Sequence, residues 1–162
     1  MNFNILIIGD NCVGKTSFIR KHVSGNFINI YNKTNKKEIN SLAFITNQGE
    51  IKVNLYDGVS LKDMDTIIHG IIIMFDKTNK KSFTNLYTHL INISPQIPFV
   101  LCGNKVELGK KPNDSEIINL INILKIYNPN FKYYYDINVQ SGYNYEKPIV
   151  SLLRTQFPNI TF

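Results

Sequence analysis

Apolar residues come in short unbroken runs separated by polar stretches. Phe3 and Ile5-Leu6-Ile7-Ile8 open the chain, Ile71-Ile72-Ile73-Met74-Phe75 lies near the middle, and Phe99-Val100-Leu101-Cys102 follows. Runs of this length are the mark of strands buried on both faces, as in a parallel sheet. Ile51-Lys52-Val53-Asn54-Leu55 instead alternates apolar with polar residues, the period of a strand with one face in solvent. With Ile39 to Thr46 before it and Asn47-Gln48-Gly49-Glu50 between, it predicts an antiparallel hairpin ending at Asp57.

Helical spacing fills the gaps between strands. Ser17 to Val23 reads as a first helix. Phe83, Leu86, Leu90 and Ile93 share one face over Ser82 to Ile93, with Pro95 and Pro98 at its exit. Ile118, Ile121 and Leu124 recur over Ser115 to Tyr127, a helix that Asp114 or Ser115 would cap. Phe131 to Asp136 reads as a last strand and Tyr145 to Phe157 as a last helix. Gly25 to Lys37 has no period and reads as a long loop, and Gly58 to Ile68 as irregular with room for one helical turn. Strands alternating with helices predict one α/β domain over residues 1–162. Its sheet is six-stranded and mostly parallel, with one antiparallel edge strand and helices on both faces. Ligands of such sheets sit at the carboxyl ends of the strands.

The stretch after the first strand carries the chemistry. Gly9-Asp10-Asn11-Cys12-Val13-Gly14-Lys15-Thr16 matches G-x-x-x-x-G-K-[ST] at every fixed position, and it lies between a strand and a helix, the context the motif requires. Glycines let the backbone turn successive N–H groups toward an anion. The helix that starts inside the loop adds unpaired N–H groups and the positive end of its dipole. Lys15 would reach the outer phosphates and the Thr16 hydroxyl would take one position on Mg²⁺.

The net charge is +6, but no block of like charge exceeds a few lysines, so a solvated basic surface is expected and not a nucleic-acid site. Only Cys12 and Cys102 are present, which opposes a disulfide framework and favours a reducing, intracellular compartment. Cys12 is either a thiol acidified by the anion cradle or a small residue the loop tolerates. His22, His69 and His89 lack metal-ligand spacing. No signal peptide or transmembrane run is visible. Pro158 to Phe162 holds no prenylation cysteine, so no membrane anchor is expected. Asn is frequent and a poor helix former, so local propensity misleads here.

Two further motifs join the loop: Asp57 at the end of a hairpin strand, and Gly103-Asn104-Lys105-Val106-Glu107 after a buried strand. With them the chain resembles a Ras-superfamily small GTPase, a P-loop G domain, over nearly its whole length. Within the superfamily it is most similar to the Ran branch, the nuclear-transport GTPases. The segments that carry this are Ile97-Pro98-Phe99-Val100-Leu101-Cys102-Gly103-Asn104-Lys105-Val106, Ile72-Ile73-Met74-Phe75-Asp76, Tyr134-Tyr135-Asp136-Ile137 and Tyr143-Asn144-Tyr145-Glu146-Lys147-Pro148. The resemblance implies GTP or GDP as ligand, with Mg²⁺. It implies that Asn11, Cys12, Val13, Gly14, Lys15, Thr16 and Ser17 wrap the phosphates. Phe27 would pack on the guanine edge, Tyr31 would lean over the γ-phosphate, and Thr34 would join Thr16 and Asp57 at the metal. Read alone, Phe27 and Tyr31 also fit a small aromatic loop cluster, and Thr34 a polar loop position. The base pocket would be lined by Asn104, Lys105, Glu107, Asn138, Val139 and Gln140. Exchange factors or nuclear-transport receptors would be the protein partners of a monomer resident in cytoplasm or nucleus.

The departures from the family pattern shape the functional expectation. Where the family has Asp-x-x-Gly-Gln, this chain has Asp57-Gly58-Val59-Ser60-Leu61. Leu61 can neither donate to nor accept from a water molecule, so no catalytic residue is assigned. From Asp57 to Asp76 the chain is shorter than the family by about two helical turns, so the helix after this loop must be cut down or lost. Asn11 stands where a glycine is usual and would crowd an incoming arginine finger. Glu107 replaces an aspartate with an arm one methylene longer, and a misplaced acceptor leaves buried donors unpaired at roughly 1–3 kcal/mol each. Asn138-Val139-Gln140 replaces Ser-Ala-Lys. The Val139 amide would still meet the guanine carbonyl, while Gln140 loses the lysine's packing role. Lys36, Lys37, Glu116-Ile117-Ile118-Asn119 and the end at Phe162 without an acidic tail also differ from Ran. Guanine binding is expected to be retained but weaker, with relaxed discrimination against adenine and slow or absent hydrolysis. Two alternatives stand beside it: a non-hydrolysing module that competes for small-GTPase partners, and an active GTPase whose water another residue positions.

Overall fold

The computed structural model describes residues 1–24, 38–58, 60–109 and 112–162. Strand β1 (Asn2–Ile8) leads into helix α1 (Lys15–Ser24), and the hairpin strands β2 (Glu38–Thr46) and β3 (Gly49–Asp57) come next. They are followed by β4 (Gly70–Asp76), helices α2 (Lys80–Thr84) and α3 (Leu86–Leu90), β5 (Phe99–Asn104), α4 (Asp114–Tyr127), β6 (Phe131–Asp136) and α5 (Lys147–Gln156). The six strands form one sheet in the order β2-β3-β1-β4-β5-β6. Only β2 and β3 are antiparallel, and every other neighbouring pair is parallel. This is the mostly parallel six-stranded sheet with one antiparallel edge strand expected from the pattern. The parallel strands all end on one edge, so Ile8, Asp57, Asp76, Asn104 and Asp136 lie along the ligand side of the sheet.

Each central strand divides its side chains between two apolar layers, as its period of two requires. Ile72 and Met74 of β4 point to a layer with Phe18 and Ile19 of α1 and Ile149, Leu152 and Leu153 of α5. Ile71, Ile73 and Phe75 point to the other, with Phe83, Leu86 and the α4 residues Ile117, Leu120 and Leu124. All of β4 is buried, which is why its sequence shows no polar break. Each large side chain withdrawn in this way contributes about 1.5–3 kcal/mol.

Three local expectations need correction. The helix expected over Ser82 to Ile93 starts earlier, at Lys80, and is split at Asn85 into two five-residue pieces. Asn79 caps the first piece by accepting from the Lys81 amide. At the break the Asn85 N–H donates to the Lys81 carbonyl at 2.9 Å and closes the first piece. Helix α4 is capped by neither Asp114 nor Ser115. Asn113 is the cap, in a reciprocal box with Glu116. The Lys80 ammonium and then the Asn113 amide hold the Glu116 carboxyl below its ordinary value, against a smaller opposing effect of desolvation. Finally, α5 starts at Lys147, two residues after the expected start, with Pro148 in its first turn, where a missing N–H is harmless. The loop expected over Gly25 to Lys37 lies outside the described residues.

Between β3 and β4 the described residues hold one short 3-10 turn, Leu61–Asp63. The chain then runs across the amino end of β1. His69 stacks on Phe3 at 5.2 Å between ring centroids, and its Nδ1 accepts the Asn4 N–H at 2.9 Å. That bond requires a neutral imidazole with its proton on Nε2, and desolvation lowers the His69 pKa accordingly. A base whose folded pKa is depressed contributes stability above its unfolded pKa of about 6.5 and loses it as pH falls through the folded value. His22, whose pKa burial also depresses, acts in the same direction. The melting temperature is therefore expected to fall between pH 7 and 5. His69→Asn, which keeps an acceptor but cannot titrate, should flatten that slope. An unchanged slope in this variant would show that His69 does not carry it.

Candidate functional site

β1 delivers the chain to the ligand edge, where residues 9–14 turn back into α1. Cys12 (φ 66°) and Gly14 (φ 105°) both take left-handed backbone conformations there. At Gly14 the requirement is also steric: a Cβ would lie 2.3 Å from the Asn104 amide nitrogen. Lys15 arches over the loop and donates to the Gly9 carbonyl at 2.8 Å and the Asp10 carbonyl at 2.7 Å. Burial pulls its pKa below the ordinary lysine value, opposed by the carboxylates of Asp57 and Asp10. A partly desolvated ammonium beside carbonyl oxygens is a strong partner for a phosphate.

Thr16 Oγ1 donates to Asp57 Oδ2 at 2.6 Å, and Asp57 Oδ1 accepts the Gly58 N–H at 2.8 Å. Asp57 is only 1% exposed. A hydroxyl and a buried carboxylate side by side are hard oxygen donors of the kind Mg²⁺ takes. They fit the metal expected at this position.

On the base side, Asn104 joins two loops. Its Nδ2 donates to the Val13 carbonyl at 2.9 Å, and its Oδ1 accepts the Val139 N–H at 3.2 Å. Lys105, also left-handed at φ 62°, donates to the Cys12 carbonyl at 3.1 Å and to Asp76 Oδ2 at 2.5 Å. Val139 and Asn138 are buried. Asn138 accepts the Ser141 N–H and closes the turn after β6.

The expected residues thus divide. Cys12, Val13, Gly14, Lys15, Thr16, Asp57, Asn104, Lys105 and Val139 are joined by hydrogen bonds or close contact. Ser17 is half-buried in the first turn of α1, and Asn11 is exposed at the loop's outer side. Glu107 and Gln140 are exposed. Phe27, Tyr31 and Thr34 lie outside the described residues.

Leu61 sits in the 3-10 turn that Ser60 caps by accepting from the Lys62 amide. Its side chain packs against the apolar layer containing Leu6, Ile71 and Phe75. It also lines a cavity of about 520 Å³ between the phosphate loop and the end of α3, together with Asn11, Lys15, Ser60, His89 and Asn92.

One part of the site escaped the sequence reading. Asp10 is gripped from α3, with Asn85 Nδ2 donating to Oδ2 at 2.6 Å and His89 Nε2 lying 3.0 Å from Oδ1. Asn85 and His89 are four residues apart, the spacing that puts two side chains on one helix face. That spacing was a visible signal, but nothing local pointed it at Asp10.

The Ras family model matches residues 4–157, from β1 to just past α5. The chain belongs to the Ras family. It is a small GTP-binding protein, and the Ras family binds guanine nucleotide with Mg²⁺ in general. The phosphate loop, the Thr16–Asp57 pair and Asn104–Lys105 all fall within the matched residues. Among the described residues of this Ras-family chain, no helix is long and apolar enough to cross a membrane.

Proposed function

We propose that this chain is a Ran-like guanine-nucleotide-binding protein that holds GTP or GDP with Mg²⁺ and hydrolyses GTP slowly or not at all. The observation that carries the reading is Leu61. It occupies the position where the family's water-orienting glutamine is expected, and its half-buried side chain packs against the layer of Leu6 and Ile71 and faces the cavity beside Lys15. An aliphatic group there cannot hold the attacking water.

The other residues have binding roles. Lys15 would leave its own loop carbonyls for the outer phosphates. Thr16 and Asp57 would hold the metal, which supplies neutralising charge on the phosphate oxygens when bound. Asn104 keeps the base loop against the phosphate loop, and Lys105 packs over Cys12. Exposed Asn11 would hinder an arginine supplied by an activating protein, and such an arginine normally contributes on the order of 10³–10⁵ in rate. A protein of this kind acts inside the cell through what it binds in one nucleotide state, with exchange factors or transport receptors as partners.

The test is direct. Nucleotide extracted from the purified protein is identified by chromatography, and added GTP is followed over hours with and without Mg²⁺. Bound guanine nucleotide, with GTP persisting, is expected. Turnover at the rate of ordinary small GTPases would sink the hydrolysis claim. A protein without nucleotide or affinity for it would favour the competing interaction module.

A further inference from the structure

Lys77 follows the last residue of β4 on the ligand edge, and it is only 2% exposed. A buried ammonium is tolerated only when it is paired. Its Nζ lies 3.0 Å from Asp136 Oδ1 and 3.7 Å from Asp114 Oδ1. Tyr134 also donates its hydroxyl to Asp136 Oδ1, and Asn144 Nδ2 donates to the Asp136 carbonyl at 3.1 Å. Asp136 is thus held from three sides. It ends β6, and the next three residues are Ile137, Asn138 and Val139, the loop joined to Asn104.

Lys77 touches the other half of the base site through its backbone. Its N–H donates to the Asn104 carbonyl at 2.9 Å. At Gly109 a Cβ would lie 3.0 Å from the Lys77 carbonyl oxygen and 3.1 Å from Thr78 Cα. The turn that carries Glu107 therefore rests directly on the Lys77–Thr78 backbone. Neither the phosphate loop nor the metal pair involves this residue.

We propose that Lys77 is a positioning residue for base selection, fixing the Glu107 turn and the Ile137–Val139 loop relative to one another. The assignment rests on the nucleotide-binding reading above. The pairing adds little stability, because the partner carboxylates are partly solvated, Asp136 at 35% and Asp114 at 72% exposure. What the pair supplies is a directional tie between β4 and the exit of β6. Glu107, with its longer arm, needs that tie to meet a base held by the opposite loop.

The test compares dissociation constants for GDP and ADP, both with Mg²⁺, in wild type, Lys77→Met and the double variant Lys77→Met/Asp136→Asn. Thermal melting is recorded for each. The wild type is expected to prefer GDP, and both variants to lose about tenfold of that preference, mainly through weaker GDP binding. The double variant, which buries no unpaired charge, should melt close to wild type. If Lys77→Met alone does not fold, the double variant decides. A folded variant that keeps the wild-type GDP:ADP ratio overturns the proposal, even if both nucleotides bind more weakly. So does a wild type that binds GDP and ADP alike. A wild type that binds neither overturns the nucleotide reading itself, and the assignment with it.

Discussion

Lys15→Ala is expected to weaken guanine-nucleotide binding by at least about a hundredfold, because each charge-assisted hydrogen bond to a phosphate is worth about 1.5–3 kcal/mol and Lys15 is placed for two. The ammonium already bridges the Gly9 and Asp10 carbonyls, so its Nζ sits above the loop where the outer phosphates would lie. Its removal has a second consequence. Two loop carbonyls lose their donor, which should lower stability by about 1 kcal/mol without unfolding the sheet. Titration with a fluorescent GDP analogue, alongside circular dichroism, separates the two effects. A folded variant with wild-type affinity would remove the phosphate loop from the binding site, and the functional reading would fall with it. Asp10 makes the variant more informative still. Asn85 and His89 anchor that residue independently of Lys15, so the loop's outer half should keep its place and the loss of affinity should report on the ammonium itself.

The sheet and its ligand edge are legible in the sequence, and the reason is local. A strand buried on both faces has to be apolar at every position, so Ile71 to Phe75 and Phe99 to Cys102 announce themselves. The phosphate loop is equally local, since eight consecutive residues contain the whole device. Most of what stayed hidden depends on partners distant in sequence. The cap of α4 is the exception: Asn113 stands beside Asp114 and Ser115, the caps expected, and the reciprocal bond with Glu116, three residues on, selects it. The split at Asn85 follows the engagement of its side chain with Asp10, 75 residues away. Lys77 reads as an ordinary surface lysine until Asp136 is brought alongside it. The Val139 N–H, expected to meet the guanine carbonyl, already meets Asn104 in the folded chain. Period and motif reveal which elements form and where phosphate would bind. They do not reveal which polar groups are already taken.

Leu61→Gln is expected to raise GTP hydrolysis by about a hundredfold, the lower end of what a positioned group contributes to water activation. The gain depends on where the new amide goes. Leu61 now divides its contacts between the apolar layer of Leu6 and Ile71 and the cavity that reaches Lys15. A glutamine would be expelled from the first, because an unpaired amide in an apolar layer costs about 1–3 kcal/mol. The open side toward Lys15 and Asn11 is polar and roomy enough to take it. The Ser60 cap keeps the turn itself in place, since it binds the Lys62 amide and not the residue 61 side chain. Single-turnover release of phosphate from preloaded GTP measures the effect, with melting temperature as the control for lost packing. A large gain shows that metal, phosphate loop and water site are otherwise intact, and that hydrolysis was lost at one side chain. No gain in a folded, nucleotide-loaded variant moves the defect elsewhere. Asn11 is then the next residue to change, and Asn11→Gly combined with Leu61→Gln should respond to an arginine supplied in trans where the single variant does not.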